Sequence, residues 1–353
     1  MIDTSHFFRF NETALEIFVT GLSLSFTRSI KEGHESIKDI WDNRVSWVCD
    51  RVREFKDNHD MSNVSTIVLD CRMENIYVVY LGLQIVKKFG LSKDNVRFLV
   101  SVTLQGELDE FDHVTDKIAE LNYCYYIDDL LKENIDWESI EIDYPIMSLS
   151  ARASQNRVTF TKELLDFFGD KCRVSLGINK HYAITEKELQ SYVRTMHPYP
   201  FPFTQGTDDV VLETIHLMHT PPGNQLYKSL MNIIHDTNDN YHDRILLTEK
   251  TFKTFAWHQI PIFVCTPGHV KMVRELGFDL FDDIIDHSYD SYTEPSLYRM
   301  KVFAEIAKLI RANPTLADWQ NLRKTLWPRI VKNNQRLIEL KLSKTIGLWP
   351  HYG

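Results

Sequence analysis

The most constraining feature of this sequence is the alternation of short apolar runs with helical repeats in its first half. Residues 65–70 form an apolar, β-branched run that ends at the carboxylate of Asp70, as buried parallel strands commonly do. Apolar residues then recur with helical spacing over 77–86, Gly90 provides a C-cap, and a second apolar run covers 96–102. This order predicts a right-handed strand–helix–strand unit of a parallel sheet.

The alternation of helix and strand continues along the chain and predicts an α/β fold. The proline-rich stretch 197–203 predicts a loop or extended chain, because proline interrupts helices and central strands. Helices are predicted over residues 35–55, 111–121, 157–168, 250–257, 270–276 and 296–346, the last with breaks at Pro314 and Pro328, and strands over residues 123–127, 173–177, 230–234 and 260–265.

The length of 353 residues predicts two domains of ordinary size. Around residues 140–150 the pattern changes to a polar, extended segment containing Pro145, which predicts a domain boundary. We therefore expect an N-terminal α/β domain over residues 1–145, a second α/β domain over 146–310 and a helical segment over 311–353.

Composition excludes several classes of protein. The net charge of −9 argues against a protein whose whole surface binds nucleic acid. No apolar run approaches the roughly 20 residues of a membrane span, and the first residues do not have the pattern of a signal peptide. The five cysteines are widely separated and include no CxxC pair, so neither a disulfide framework nor a zinc site is expected. A cytoplasmic location follows as the expectation.

The start of the predicted helix near residue 250 carries the densest group of candidate binding residues. Thr248 is a suitable N-cap, and Glu249 follows it in the first turn. A helix N-terminus suits a phosphate, and Lys250 and Lys253 would add positive charge on one side of that turn. Glu249 accepts hydrogen bonds and would suit a ribose diol. The alternative interpretation is an ordinary solvated helix cap.

A second group of charged residues occupies the run 277–290, which contains five Asp and one His. Carboxylates of this density suit Mg²⁺ or Mn²⁺, although their spacing does not match an EF-hand loop. The alternative is a structured loop with solvated acidic side chains. We favour the loop.

The segments 248–250, 261–264, 274–278 and 286–290 follow one another in an order that resembles a known family. They are similar to the donor-binding half of a group of viral and bacterial glycosyltransferases. The Thr-Glu-Lys segment of these enzymes resembles that of the α1,3-fucosyltransferases, which have the GT-B fold. Residues 154–158 also resemble the opening of the family's C-terminal domain. The resemblance covers about residues 150–290, and it implies two Rossmann-like domains facing across a cleft.

The resemblance implies roles for individual residues. Glu249 would bind the ribose of a UDP- or GDP-sugar, and Lys250 and Lys253 would contact its diphosphate. Thr248 would cap the helix beneath the diphosphate, and Arg157 would be a further diphosphate contact. No metal is then required, although Mg²⁺ or Mn²⁺ stays possible.

An acceptor hydroxyl needs a base, which we expect from the N-terminal domain. Asp70 ends a predicted central strand, where ligands collect in open α/β sheets, and Glu74 lies just beyond it. The alternative for either residue is a carboxylate that caps the helix starting near Asn75. The acceptor itself is either a glycan or a modified, hydroxymethylated base in viral DNA.

A basic strip near the C-terminus bears on the DNA acceptor, because a row of cations could follow a phosphate backbone. The alternative is an amphipathic helix docked on the protein through its apolar side chains, with the cations solvated. The cations are Arg323, Lys324, Arg329, Lys332, Arg336, Lys341 and Lys344, and the apolar residues are Leu337, Ile338, Leu340 and Leu342.

Several features leave the function open between two classes. His181, His197 and His258 are isolated in sequence, and none is expected to be catalytic. The aromatic loop 199–203 could stack on a base or sugar, or pack as a lid. The alternative to a glycosyltransferase is a non-catalytic nucleotide-binding or assembly module of the same fold.

Overall fold

The computed structural model describes residues 8–11, 14–19, 37–72, 77–101, 108–115, 121, 135–150, 153–177, 186–200, 202–204, 228–235, 245 and 247–342. The chain divides into two compact units, unit 1 within residues 1–120 and unit 2 within residues 121–344. The predicted boundary after residue 145 lies later in the chain than this division. Each unit is an α/β structure with a mostly parallel sheet of five strands.

Unit 1 contains a sheet whose strands follow one another in chain order, β1-β2-β3-β4-β5. Strand β1 is antiparallel to β2, and the other neighbours are parallel. Its elements are β1 (Phe8–Asn11), β2 (Ala14–Phe18), α1 (Ile37–Asn58), β3 (Thr66–Cys71), α2 (Tyr77–Phe89), β4 (Val96–Val100) and β5 (Asp112–Thr115).

The strand–helix–strand unit predicted near the start of the chain is confirmed as β3, α2 and β4. Gly90 ends α2 with φ of +58°, the left-handed conformation that glycine adopts easily. The helix predicted over residues 111–121 is wrong for residues 112–115, which form β5 beside β4. Pairing with β4 outweighs the local helical spacing. The strand predicted over residues 123–127 lies outside the described residues.

Helix α2 lies very close to one face of this sheet. At Gly82, a Cβ atom would be 2.8 Å from Phe98 Cε1 and 3.1 Å from Cys71 Sγ. Side chains alternate between the two faces of a strand, so Asp70 points to the face opposite α2. Its side chain is nevertheless buried, because the residue is only 1% exposed.

Unit 2 has the strand order β10-β9-β6-β7-β8, in which only β8 is antiparallel to its neighbour. Its strands are β6 (Tyr144–Ser150), β7 (Cys172–Leu176), β8 (Phe203–Thr204), β9 (Ser229–His235) and β10 (Ile260–Val264). Its helices are α3 (Gln155–Phe168), α4 (Glu186–Met196), α5 (Glu249–Ala256), α6 (His269–Glu275), α7 (Pro295–Ala312) and α8 (Leu316–Leu342).

The segment predicted as a polar boundary contains β6, which is the central strand of the unit 2 sheet. Pro145 is tolerated there because it is the second residue of the strand. The ladder with β7 begins only at the next residue, where Ile146 lies opposite Cys172. The polar Ser148 and Ser150 are buried in this strand, which explains why the sequence alone suggests an exposed connection.

Successive strands of the unit 2 sheet are added first on one side of β6, as β7 and β8, and then on its other side, as β9 and β10. In doubly wound sheets, ligands bind beyond the carboxyl ends of the two strands that flank such a reversal of strand order. Here those strands are β6 and β9, and they end at Ser150 and His235. This crevice is therefore the first place to look for a site in unit 2.

Two tyrosines cover the open edge of β10. The Tyr289 hydroxyl accepts from the Phe263 N–H at 3.3 Å. The Tyr298 hydroxyl accepts from the Cys265 N–H at 3.3 Å and donates to the Phe263 carbonyl at 3.0 Å. These bonds satisfy backbone groups that an edge strand would otherwise expose.

Helix α8 continues through Pro328, so the predicted break there is wrong, whereas Pro314 separates α7 from α8 as predicted. Leu326 and Ile330 are buried on either side of Pro328. Their packing outweighs the single backbone bond that proline removes. Within the described ranges, no helix has both the length and the apolar character to cross a membrane.

Candidate anion-binding site at the start of helix α5

The first turn of α5 lies toward the carboxyl edge of the unit 2 sheet. Gln259, just after the helix, donates to the carbonyl of Ser229 at the start of β9, with an N···O distance of 3.1 Å. Asn232, in the middle of β9, donates to the Thr254 hydroxyl at 3.0 Å. The helix therefore runs antiparallel to β9, and its N-terminus points to the edge where β9 ends.

Thr248 is the N-cap residue of α5, as predicted, but its hydroxyl does not cap the helix. The residue is 7% exposed, and Oγ1 is buried without a hydrogen-bond partner among the described residues. A buried hydroxyl with no partner is energetically unfavourable. A ligand oxygen beside the first-turn N–H groups would satisfy it.

In three other helices of unit 2, a side-chain oxygen accepts from N–H groups of the first turn. Ser154 accepts from a first-turn N–H of α3 at 3.4 Å. The Asp290 carboxylate accepts from the N–H groups of Val270 and Lys271 in α6, each at 3.1 Å. Glu294 accepts from two N–H groups of α7. In α5, by contrast, the N-cap side chain makes no such bond within the described residues. The Glu249 carboxylate accepts from its own backbone N–H in the first turn.

The charged groups of this turn form a compact cluster. Lys250 Nζ donates to Glu249 Oε1 at 2.8 Å, and Lys253 is only 3% exposed. Burial raises the pKa of Glu249, but Lys250 and Lys253 outweigh it and lower that pKa to about 2. The carboxylate is therefore ionised, and two ammonium groups with one carboxylate leave a net positive charge.

Arg157 lies at the crevice between β6 and β9. It is 3% exposed, and Nη2 donates to the carbonyl of His235, the last residue of β9, at 3.1 Å. The structure therefore places Arg157 and the α5 residues at the same edge of the sheet. This is the arrangement expected of residues that share one anionic ligand.

His269 supports the first turn of α5 and was missed by sequence reasoning. Its Nε2 lies 3.1 Å from Thr251 Oγ1, and both residues are fully buried. Burial lowers the pKa of His269 to about 3, so the ring is neutral. The only sequence signal is a glycine–histidine pair shortly after an apolar strand, which is too common to identify a role.

Acid should destabilise the protein through His269. Its pKa is about 3 in the folded state, below the ordinary 6.5, so the unfolded chain takes up a proton first as pH falls. The free energy of unfolding should drop by about 2 kcal/mol between pH 7 and pH 5 from this group. Urea titrations at several pH values would measure the loss. His269→Gln should lack this part of the pH dependence, and an unchanged slope in that variant would contradict the assignment.

The two predicted bases have different outcomes. Asp70 is paired with Arg72, whose Nη2 lies 2.7 Å from Oδ2 and whose Nε lies 3.0 Å from Oδ1. Both carboxylate oxygens are thus engaged, and the side chain is buried, which disfavours proton transfer from a substrate. Glu74 lies outside the described residues and stays a prediction.

The acidic run 277–290 is held by ion pairs and turn hydrogen bonds. Arg329 bonds to both Asp279 and Asp283, and Arg274 bonds to Asp282. Within the described ranges, no three His, Cys, Asp or Glu side chains form a group that could hold one metal ion. These contacts favour the interpretation as a structured loop, and its carboxylates are paired as well as solvated, since Asp282 and Asp283 are 54% and 62% exposed.

The cations of α8 mostly contact the protein. Arg323 and Arg336 bond to backbone carbonyls, Arg329 bonds to carboxylates, and Lys341 donates to the Leu121 carbonyl at 2.9 Å. The interpretation as a free strip needs correction, because these four side chains bond to the protein. The interpretation as solvated cations needs correction in part, since Arg329 and Arg336 are bonded but remain 31% and 38% exposed. Lys324 and Lys332 are exposed, and Lys344 lies outside the described residues.

The apolar side of α8 also differs in detail from the prediction. Leu337 and Leu340 are buried and Ile338 is half-buried, but Leu342 is 76% exposed. Leu337 and Leu340 therefore belong to the buried side of α8 in unit 2, which confirms the amphipathic interpretation in part.

The remaining candidates are structural or lie elsewhere. His258 is stacked against Trp137 and Trp327. Burial, and to a smaller extent the charge of Arg323, lower its pKa to about 4. His197 is exposed, whereas His181 lies outside the described residues. In the aromatic loop, the Tyr199 ring faces the Lys162 ammonium at 5.7 Å.

Comparison with known proteins adds no relative. No protein-family model matches the chain, and no curated protein or solved structure is significantly similar to it.

Proposed function

We propose that this protein is a glycosyltransferase that transfers a sugar from a nucleotide-sugar to a hydroxyl acceptor. The observation that carries the proposal is the first turn of α5, where a buried Thr248 hydroxyl, without a partner in the described ranges, accompanies two lysines and an ionised carboxylate. The family resemblance of residues 150–290 supplies the reaction class. The expected GT-B arrangement, with two Rossmann-like domains facing across a cleft, belongs to this proposal.

In the proposed reaction the diphosphate of a UDP- or GDP-sugar binds at the start of α5. Thr248 and the first-turn N–H groups bind phosphate oxygens, and Glu249 accepts from the ribose hydroxyls. Negative charge develops on the diphosphate as the glycosidic bond breaks, and Lys250, Lys253 and the helix dipole stabilise it. These cations can do so without a divalent metal.

Arg157 is proposed as a further contact to the diphosphate, from the α3 side of the crevice. Unit 1 would supply the acceptor site and the base. The Asp70–Arg72 ion pair makes Asp70 the weaker of the two predicted bases, so Glu74 is the one we propose. The acceptor is proposed as a glycan or a hydroxymethylated base in viral DNA. The extensive contacts of the α8 cations favour the glycan.

Binding of UDP, GDP, CMP and ADP tests the donor site by thermal shift and titration calorimetry. A ligand at about 100 times its Kd should stabilise the protein by about 2.7 kcal/mol. Thr248→Val should weaken the bound nucleotide about tenfold, because the hydroxyl partner is lost. Thr248→Ser keeps the hydroxyl and is the matched control. Lys250→Ala should lower turnover more than affinity, if its charge acts in the transition state.

Two results would contradict the proposal. Absence of binding to any nucleotide or nucleotide-sugar, with and without Mn²⁺, would favour an assembly module. Selective nucleotide binding without sugar transfer to any glycan or modified DNA would favour a non-catalytic nucleotide-binding module. Lys332→Ala removes an exposed lysine of α8 and should leave nucleotide binding unchanged.

A further inference from the structure

The lysines at the start of α5 already have an anion beside them. Glu249 Oε1 lies 2.8 Å from Lys250 Nζ, and the two side chains are only 20% and 21% exposed. A carboxylate in the first turn is also favoured by the helix dipole. The Glu249 carboxylate thus occupies a position where the lysines and the helix dipole would attract a bound anion.

We propose that Glu249 is a selectivity residue, which excludes free phosphate and pyrophosphate from the α5 site and admits diphosphates that carry adjacent hydroxyl groups. This inference rests on the proposed function. It goes beyond ribose binding, because it assigns the carboxylate a repulsive role toward ligands that offer it no hydrogen-bond donor. The buried Thr248 hydroxyl, without a partner among the described residues, is the independent sign that a ligand binds here.

A bare anion is unfavourable at this turn for two reasons. Its charge lies beside the Glu249 carboxylate, and the two repel each other. If Lys250 turns to the anion, Glu249 loses its bonded ammonium while it remains mostly shielded from water. Protonation does not relieve the repulsion at neutral pH, since the pKa of Glu249 is about 2.

A nucleoside diphosphate removes both penalties. Its ribose diol provides two O–H donors, which can replace the Lys250 ammonium at the carboxylate. Lys250 can then bind the diphosphate, with Lys253 close behind it. The carboxylate therefore costs affinity for every anion, and only a ligand with suitably placed hydroxyl groups recovers it.

Calorimetric titration of the full chain with sodium pyrophosphate, UDP and GDP tests the inference. The wild type should bind the better nucleotide at least tenfold more tightly than pyrophosphate. Glu249→Gln should tighten pyrophosphate about tenfold and weaken the nucleotide, so the ratio of the two affinities should fall by well over tenfold. The matched control is Glu339→Gln, which changes an exposed carboxylate of α8 and should leave both affinities unchanged.

The outcomes separate this inference from the proposed function. If the wild type binds a nucleotide but Glu249→Gln leaves pyrophosphate affinity unchanged, the selectivity role is overturned and the donor site stands. If neither protein binds any of the three ligands, both fail. If only Glu249→Gln binds pyrophosphate and neither protein binds a nucleotide, the exclusion is supported and the donor assignment fails. Circular dichroism of both variants checks that they are folded.

Discussion

Asp70→Asn is expected to lower the free energy of unfolding by about 3–5 kcal/mol, because it breaks a buried ion pair from one side. Asp70 and Arg72 are each 1% exposed, and the carboxylate accepts from the Arg72 side chain at 2.7 and 3.0 Å. It also accepts from the Arg72 backbone N–H at 3.1 Å. The amide keeps the shape but removes the charge, so the buried guanidinium loses the carboxylate that lies 2.7 Å from it.

Urea unfolding measures this loss, and two further variants give it a reference. Asp70→Leu combined with Arg72→Met should be more stable than Asp70→Asn, because the double variant no longer buries the guanidinium charge of Arg72 without the Asp70 carboxylate. Asp50→Asn breaks the exposed pair with Arg53 and should change stability far less. If Asp70→Asn is instead as stable as the wild type but inactive in sugar transfer, Asp70 is the base and the structural role is contradicted.

Arg323→Ala is expected to lower the free energy of unfolding by about 3 kcal/mol, since it removes a buried guanidinium that donates to three backbone carbonyls. Nη1 donates to the carbonyls of Glu138 and Ile140 at 3.2 and 3.1 Å, and Nη2 donates to that of Trp137. The guanidinium also lies over the Trp327 ring, 4.5 Å from its centroid. Arg323 thereby holds α8 to the segment that leads into the central strand β6.

Thermal and urea unfolding test the Arg323 prediction, with Lys324→Ala as the control at an exposed neighbour. Arg323→Lys should recover less than half of the loss, because one ammonium cannot reproduce the planar fork. Burial is the main cause of the lowered pKa of His258, and the Arg323 charge is the second. This pKa should therefore rise in Arg323→Ala, and NMR titration would detect the rise. A stable variant with an unchanged His258 pKa would contradict this account.

Several elements could be predicted from sequence because their signals are local. The apolar runs that became β3 and β4, the helix between them and the glycine that ends it depend on residues within a few positions of one another. The start of α5 at Thr248 is equally local, since the N-cap preference depends on the residue type within one turn, although the Thr248 hydroxyl makes no capping bond. For these elements, spacing and residue type were sufficient.

Other elements depend on partners that are distant in sequence. Residues 112–115 have helical spacing, yet they form β5 because β4 offers an open edge. The polar segment around Pro145 became the central strand because β7 and β9 pair with it on both sides. A local pattern does not contain the energy of such pairings.

The candidate site shows the same division at the level of single residues. The sequence by itself determined the α/β alternation and the grouping of Thr248, Glu249, Lys250 and Lys253 on one helical turn, because those depend on neighbours along the chain. Only the tertiary structure decided that the Thr248 hydroxyl is buried without a described partner and that Arg157 reaches the end of β9. It also decided that Asp70 and Arg72 are buried together and that Arg323 bonds to carbonyls far away in the sequence, because burial and long-range hydrogen bonds arise only when distant segments pack together.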